Sequence, residues 1–226
     1  MAPPLALPRP LAVILDLDGT LVDTVDTRIR AWLAAFDEFR IPATRQQLAP
    51  LIGMDGRRLA RQVAEAAGLA LPPDRDEEID RRCGAIFESL NADPRPLPAA
   101  ADFIAAVQQR GIDVAIATSS RREQVATSVR ALGLAQEPVI VDGSSVLHAK
   151  PEPDLLLLAA EQVDRPPESC WYVGDSTWDM RAAVAARMRG VGVTAGAAVD
   201  ADALRAAGAA AVVATLAELI GPLGGA

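Results

Sequence analysis

The sequence is poor in lysine and histidine, and its acidic residues outnumber its lysines and arginines by 30 to 22. It contains one lysine and one histidine, and its formal net charge is −8 over 226 residues. Proteins that bind nucleic acids neutralise phosphates with a clustered basic surface, and the sequence gives no indication of one. We therefore expect no nucleic-acid partner and favour a small or metal-neutralised one.

Cysteines and long apolar segments are also scarce. The two cysteines, Cys83 and Cys170, lie far apart without metal-ligand spacing. This favours buried or incidental thiols in a reducing compartment, with a single disulfide as the alternative. No apolar run approaches the roughly 20 residues of a membrane span, and the proline-rich start of the sequence is unlike a signal peptide. We expect a cytoplasmic protein that does not bind a membrane.

What the sequence does contain is a series of short apolar runs, each followed by polar or small residues and then by helical spacing. Continuous apolar runs without alternation are typical of a parallel sheet that is covered on both faces by helices. The predicted strands are "LAVILDL" at 11–17, "IDVAIAT" at 112–118, "PVIVD" at 138–142, "CWYVGD" at 170–175, "GVGVT" at 190–194 and a candidate edge strand "AAVVA" at 210–214. The predicted fold class is therefore α/β, with a Rossmann-like doubly wound parallel sheet.

The connection between the first two predicted strands is too long for an ordinary crossover, since it exceeds ninety residues. Within it, Ile29, Trp32 and Phe36 recur at helical spacing, and two further segments repeat this amphipathic pattern. A stretch with three prolines ends the segment of helical periodicity near residue 93. We predict an all-helical cap domain at 21–93, inserted into a catalytic core domain at 1–20 and 94–226.

Polar side chains gather where the predicted strands end. Asp16 and Asp18 end the first strand, and Thr118 and Ser119 end the second. In an open α/β sheet the carboxyl ends of the strands form the ligand crevice, so we expect these side chains to lie together.

The later strands add charged groups to the same edge. Lys150 follows the third strand, Asp175 ends the fourth, and Asp179 lies one helical turn further on. Several carboxylates at one place repel each other unless a cation lies between them, and oxygen ligands beside a phosphate favour Mg²⁺.

This group of residues has the parts of a phosphoryl-transfer site. One of the paired carboxylates, Asp16 and Asp18, can attack while the other serves as acid and base. Gly19 would let the backbone approach a bound anion and offer its N–H. Thr118 and Ser119 could donate hydrogen bonds to phosphoryl oxygens, and the Lys150 ammonium could neutralise the transferring group.

Four motifs in order, "DLDGTLVDT" at 16–24, "ATSS" at 117–120, "KPEPD" at 150–154 and "VGDSTWDM" at 173–180, make the sequence resemble a family. It is similar to haloacid dehalogenase-like (HAD) hydrolases, in the helical-cap branch that includes phosphoglycolate phosphatases and β-phosphoglucomutase.

The resemblance implies roles for individual residues. It implies that Asp16 is phosphorylated during turnover, that Asp18 protonates the leaving alcohol and then activates water, and that Lys150 steadies Asp16 and the phosphoryl group. It also implies that Mg²⁺ is held by Asp16, the Asp18 backbone carbonyl and Asp175. Asp179 would act through a metal-bound water or by orienting its neighbours.

The predicted function is that of a Mg²⁺-dependent phosphatase which acts on a small phosphorylated metabolite through an aspartyl phosphate. The presence of Asp18 argues against dehalogenation, and the absence of lysine from residues 24–93 removes a Schiff base in the cap. A phosphomutase is the alternative enzyme. A signalling receiver domain would lack the long insertion, and a non-catalytic interaction module of the same fold would have lost one of the core residues.

The substrate and the assembly are less constrained by the sequence. Arg57, in the basic stretch after "LIGMDG", is a candidate for contact with the far end of a substrate, with a solvated helix face as the alternative. We expect a monomer or a weak homodimer.

Overall fold

The strands form one parallel sheet, which confirms the predicted fold class. The structure is a computed structural model and describes residues 7–224. Within that range the strand order is β3-β2-β1-β4-β5-β6. The strands are β1 (Ala12–Leu15), β2 (Asp113–Ala117), β3 (Val139–Val141), β4 (Cys170–Gly174), β5 (Arg189–Val193) and β6 (Ala211–Val213). Five of the six predicted apolar runs contain one of these strands, and the run at 190–194 overlaps β5, which begins one residue earlier at Arg189. The candidate edge strand does lie at an edge.

Helices cover the sheet and fill the long connection after β1. The helices are α1 (Val25–Glu38), α2 (Arg45–Leu48), α3 (Gly56–Ala66), α4 (Arg75–Leu90), α5 (Ala100–Gln109), α6 (Arg122–Ala131), α7 (Asp154–Gln162), α8 (Thr177–Ala185) and α9 (Ala201–Ala206). None of the helices described in residues 7–224 has the length and apolar character that would let it cross a membrane.

The central strand β1 is buried on both faces, which explains its continuous apolar sequence. Val13 and Leu15 pack into one hydrophobic cluster with α5 and α6, whereas Ala12 and Ile14 pack into a second cluster with α7 and α8. Alternate residues of a strand point to opposite faces, so a strand between two helical layers needs apolar residues at every position.

The register of the sheet brings the strand ends to one edge. Leu15, the last residue of β1, lies beside Ile116 of β2 and Val173 of β4. The residues that follow these strands therefore start from the same level, because parallel strands end on the same side of the sheet.

Helices α1 to α4, which we call the helical insert, form a hydrophobic cluster of their own. Ile29, Trp32 and Phe36 of α1 pack with Phe87 of α4, and the rings of Trp32 and Phe36 stack at 5.4 Å. One core residue, Trp178, joins this cluster. The helical character of the insert agrees with the sequence analysis, while the domain boundaries proposed there remain a prediction.

The helical insert contacts the carboxyl edge of the sheet through polar bonds. The Ser119 hydroxyl donates to the Gly53 carbonyl at 3.1 Å, and the Trp178 indole donates to the Pro50 carbonyl at 2.8 Å. The backbone N–H of Asp55 donates to the Lys150 carbonyl at 2.9 Å. The structure is therefore a closed one, in which the insert covers the strand ends.

Cys83 and Cys170 are both free and buried, in agreement with the interpretation as structural thiols.

Candidate active site

Lys150 forms the centre of a buried ionic cluster at the end of β1. Its ammonium donates to Asp16 at 2.5 Å, to Asp179 at 2.8 Å and to the Tyr172 hydroxyl at 3.1 Å. The Lys150 residue is 1% exposed. An ammonium has three protons, so these partners use its full donor capacity and hold it in one position.

Tyr172 was not predicted as a site residue. It belongs to β4, and its hydroxyl lies 2.9 Å from Asp179 and 3.2 Å from the Ala117 carbonyl. In the sequence it is one apolar residue of a buried strand, and only the packing of β4 against β1 shows that its hydroxyl reaches the cluster.

Three carboxylates converge beside Lys150. Asp16, Asp175 and Asp179 each place an oxygen within 4.8 Å of the other two. Burial raises the pKa of Asp175 well above its usual value, and the neighbouring Asp179 and Asp16 charges raise it further. Burial likewise raises the pKa of Asp16 to about 7, although Lys150 opposes the shift. Raised pKa values show that these carboxylates have too little positive charge near them. A divalent cation that prefers oxygen ligands would supply that charge at Asp16, Asp175 and Asp179.

The carboxylates differ in how many donors they already have. Asp179 accepts from Lys150 and Tyr172, and it closes the N-terminal capping box of α8 by accepting from the Ser176 N–H and hydroxyl. Asp175 accepts from the Thr20 hydroxyl at 3.2 Å. Asp16 and Asp175 are therefore better placed to give an oxygen to a metal, whereas Asp179 orients Lys150 and the start of α8.

Asp18 lies in an environment opposite to that of Asp16. Its carboxylate accepts from the Thr24 hydroxyl at 2.6 Å, from the Arg28 guanidinium at 3.0 Å and from the Ser120 hydroxyl. Burial alone would raise the pKa of Asp18, but the Arg28 charge and these hydrogen bonds outweigh it and lower the pKa. The two neighbouring carboxylates therefore lie in distinct environments, as a division into nucleophile and acid/base requires. Attack by Asp16 needs its ionised form, which a bound cation beside it would favour.

Arg28 is the main residue that sequence reasoning missed. It belongs to α1 of the helical insert, is 9% exposed, and donates to Gln124 of the core at 2.6 Å as well as to Asp18. Its guanidinium carbon lies 3.3 Å from the centroid of the Phe87 ring. The run "TRIR" resembles the polar face of an amphipathic helix, so no local signal separated Arg28 from a solvated arginine.

The loop after β2 only partly follows the expectation. The Thr118 hydroxyl accepts from the Ser120 N–H at 3.1 Å, and because a hydroxyl that accepts can still donate, it can bind a phosphoryl oxygen. Ser119, in contrast, donates its proton to Gly53. In the closed structure the Ser119 proton is thus used by the helical insert, and contact of Ser119 with phosphate remains a prediction.

Gly19 is needed for a different reason from the one expected. Its φ is +81°, and a Cβ at this position would overlap the carboxylate of Asp175. Its N–H donates to the Val22 carbonyl at 2.8 Å within the turn. Binding of an anion by Gly19 remains a prediction, and what the structure shows is that the glycine lets Asp175 approach the turn.

A cavity of about 60 Å³ lies between the strand ends and the helical insert. It is lined by Asp16, Asp18, Arg28, Trp32, Ile52, Gly53, Met54, Gly56, Leu59, Asp80, Thr118, Ser119, Ser120, Arg121, Gln124 and Lys150. The sequence analysis placed five of the polar residues here, at Asp16, Asp18, Thr118, Ser119 and Lys150.

Arg57 does not belong to this wall in the described part of the protein. Its guanidinium donates to the Leu147 carbonyl at 3.0 Å, and its side chain is 40% exposed. Arg121, in contrast to Arg57, does line the cavity, and it donates to Asp80 at 2.8 Å and to Glu77 at 2.8 Å. The expectation for Arg57 is corrected accordingly, because α3 turns that side chain towards the loop before Lys150.

Fold and site together define an α/β enzyme with an acidic, metal-compatible centre at the carboxyl edge of its sheet. The chain belongs to the haloacid dehalogenase-like hydrolase family, whose sequence profile matches residues 13–193.

The names of similar proteins are consistent with phosphatase activity in this family member. The chain is 31% identical over 221 residues to the "Probable phosphatase IndB" of Dickeya dadantii. The aligned region covers 94% of this chain and 93% of that protein. It is 31% identical over 204 residues to the phosphoglycolate phosphatase of Escherichia coli, with 81% of each chain covered. The crystal structure of a hydrolase from Pseudomonas syringae superposes with a TM-score of 0.89 at 30% identity, over 94% of this chain and 97% of that one.

Proposed function

We propose that the protein hydrolyses a small phosphate monoester through a phosphorylated Asp16, with Mg²⁺ as its cofactor. The observation that supports this most strongly is the placement of the two carboxylates: Asp16 contacts Lys150 and lies beside Asp175 and Asp179, whereas Asp18 is bound separately by Arg28. A covalent mechanism needs a nucleophile at the cationic centre and a separate acid/base, and these two positions supply them.

In the first step an Asp16 oxygen attacks phosphorus and the bond to the leaving oxygen breaks. The leaving oxygen takes a proton from Asp18. Since Asp18 accepts three hydrogen bonds and has a lowered pKa, it can hold that proton only after a donor such as Arg28 or Ser120 has moved away. We place this exchange at substrate binding, when the leaving group enters the cavity next to Asp18.

In the second step water attacks the phosphorus of phosphorylated Asp16, and Asp18 accepts the water proton. The products are inorganic phosphate and a free Asp16 carboxylate. Asp18 has the protonation state that this step needs, because its lowered pKa keeps it a carboxylate at neutral pH. The contacts of Ser119 and Trp178 with the helical insert keep the site closed to bulk water.

The metal would be held by Asp16, the backbone carbonyl of Asp18 and Asp175, with Asp179 as an orienting residue. When bound, Mg²⁺ supplies positive charge to the phosphoryl oxygens and lowers the repulsion among the carboxylates. Lys150 adds a fixed ammonium in contact with Asp16. The Thr118 hydroxyl can donate to a phosphoryl oxygen.

A phosphomutase would use the same first step and return the phosphoryl group to a second hydroxyl of a sugar phosphate. We favour hydrolysis because the two relatives that are 31% identical to this chain, described above, are named phosphatases. A non-catalytic module is disfavoured because Asp16, Asp18, Lys150 and Asp175 are all present and in contact or close proximity. The cytoplasmic location and the oligomeric state remain predictions.

The test is a panel of phosphate esters assayed for free phosphate and for isomerised ester, with Mg²⁺ and with a chelator. We expect Mg²⁺-dependent phosphate release, loss of that release in Asp16→Asn, and little change in the control Asp37→Asn, which alters an exposed aspartate at the end of α1. Phosphate release that survives Asp16→Asn would rule out the covalent mechanism, and isomerisation without release would support the mutase.

A further inference from the structure

The cations that line the cavity are all already paired with carboxylates. Lys150 binds Asp16 and Asp179, and Arg28 lies 3.0 Å from Asp18. Arg121, which lines the cavity next to the helical insert, is paired with Asp80 and Glu77 of α4. A second negative charge on a substrate would have to take Arg28 or Lys150 away from a buried partner.

Arg121 holds two carboxylates of α4. Its Nε and Nη2 donate to one oxygen of Asp80 at 3.1 and 2.8 Å, and Nη2 also donates to Glu77 at 2.8 Å. The side chains of Asp80 and Glu77 are 18% and 28% exposed. Arg121 is thus committed to carboxylates of the protein before any substrate arrives.

Asp80 is a polar acceptor that the helical insert contributes to the cavity lining. Both Arg121 hydrogen bonds go to its Oδ2, while its Oδ1 lies against Gly56, where a Cβ would overlap it. Gly56 and Asp80 both line the cavity. The glycine therefore allows a carboxylate oxygen to sit in the cavity wall, where it can accept a hydrogen bond from a hydroxyl group.

We propose that the substrate is a phosphate monoester with a short, uncharged, hydroxyl-bearing leaving group that donates to Asp80, and that a leaving group with a carboxylate or a second phosphate is rejected. This proposal rests on the proposed phosphatase function. A carboxylate in the leaving group would either face Asp80 or displace it from Arg121, and in both cases one buried negative charge loses its partner. The small volume of the cavity favours a short carbon chain.

Two esters of the same length separate the possibilities. 2-Hydroxyethyl phosphate and 2-phosphoglycolate differ only in a CH₂OH against a carboxylate, and p-nitrophenyl phosphate serves as a general phosphatase substrate. We expect kcat/KM for 2-hydroxyethyl phosphate to exceed that for 2-phosphoglycolate by about tenfold or more, the usual effect of one lost charge-assisted hydrogen bond. Equal values, or a preference for 2-phosphoglycolate, would overturn the proposal.

Variants of α4 assign the selectivity to Asp80. Asp80→Asn removes one negative charge and releases part of Arg121, so we expect the ratio of the two kcat/KM values to shrink by about tenfold. Glu78→Gln removes the same charge from an exposed position of α4 and is the matched control, with an unchanged ratio. If Asp80→Asn does not fold, Glu77→Gln removes the other partner of Arg121 and should shift the ratio in the same direction.

The outcomes distinguish this proposal from the proposed function. Hydrolysis of p-nitrophenyl phosphate without discrimination between the two small esters would refute the leaving-group proposal and leave the phosphatase intact. An unchanged ratio in both Asp80→Asn and Glu77→Gln would also refute it. Failure to release phosphate from any of the three esters in the presence of Mg²⁺ would refute the phosphatase function and, with it, the leaving-group proposal.

Discussion

Removing the Lys150 ammonium should destabilise the metal-free protein strongly. Lys150 is 1% exposed and lies 2.5 Å from Asp16 and 2.8 Å from Asp179. Lys150→Met would leave these carboxylates buried beside Asp175 without their cation. Breaking a buried ion pair by removing one partner costs about 3–5 kcal/mol. For a protein of this size that corresponds to a decrease in melting temperature of about 6–20 °C.

The assay is thermal unfolding followed by circular dichroism, first with a chelator and then with Mg²⁺. We expect the loss to be smaller with Mg²⁺, because a bound cation replaces part of the missing charge. The double variant Lys150→Met/Asp16→Asn should recover part of the stability, since it removes one of the carboxylates left unpaired. Arg82→Met, which breaks an exposed ion pair with Glu38, is the control and should melt close to the wild type.

One result would refute this reasoning. If Lys150→Met melted within about 2 °C of the wild type in the presence of chelator, the buried ion pair would contribute less than about 1 kcal/mol. The carboxylates would then have to be protonated or hydrated without Lys150, and the description of this cluster as a charge-balanced centre would be wrong.

Three further predictions concern pH and reactivity. Burial raises the pKa of Asp16 to about 7, so below that pH a proton competes with the metal for this carboxylate. Mg²⁺ affinity measured by calorimetry should therefore increase as pH rises through 7, and an affinity that does not change there would contradict Asp16 as a metal ligand. Arg28→Met removes the charge that lowers the pKa of Asp18, so the alkaline limb of the kcat/KM pH profile, which reports Asp18 as the acid of the first step, should move to higher pH. An unmoved limb would exclude Arg28 as the cause. Burial raises the pKa of both Cys83 and Cys170, so neither thiol should react with Ellman's reagent until the protein is unfolded, and rapid reaction of the native protein would contradict their burial.

Closure of the helical insert links the substrate pocket to the acid/base. Arg28 and Asp80 belong to the insert, while their partners Asp18 and Arg121 belong to the core side. Movement of the insert away from the sheet would therefore separate Asp18 from Arg28 and Arg121 from Asp80 together. The charges that select the leaving group and the charge that sets the pKa of Asp18 are thus assembled by the same contact.

The sequence by itself determined the strands and the position of the nucleophile. A run such as "AVIL" before Asp16 predicts a buried strand because its apolar character is continuous, and the polar residues after it must emerge at the carboxyl edge. The same reasoning brought Thr118, Lys150 and Asp175 to that edge. These predictions depend on local pattern and on the parallel topology, both of which can be read from the order of residues.

Only the tertiary structure decided which side chains complete the site and which groups are already occupied. Arg28 and Gln124 lie 96 positions apart in the sequence, and Arg121 and Asp80 lie 41 apart, so their pairing depends on how the helical insert rests on the sheet. The same packing gives the Ser119 hydroxyl to Gly53 and leaves Arg57 outside the cavity wall. Periodicity reports which face of a helix is apolar, but it carries no information on which distant element that face will meet, and the leaving-group selectivity proposed here depends on that contact.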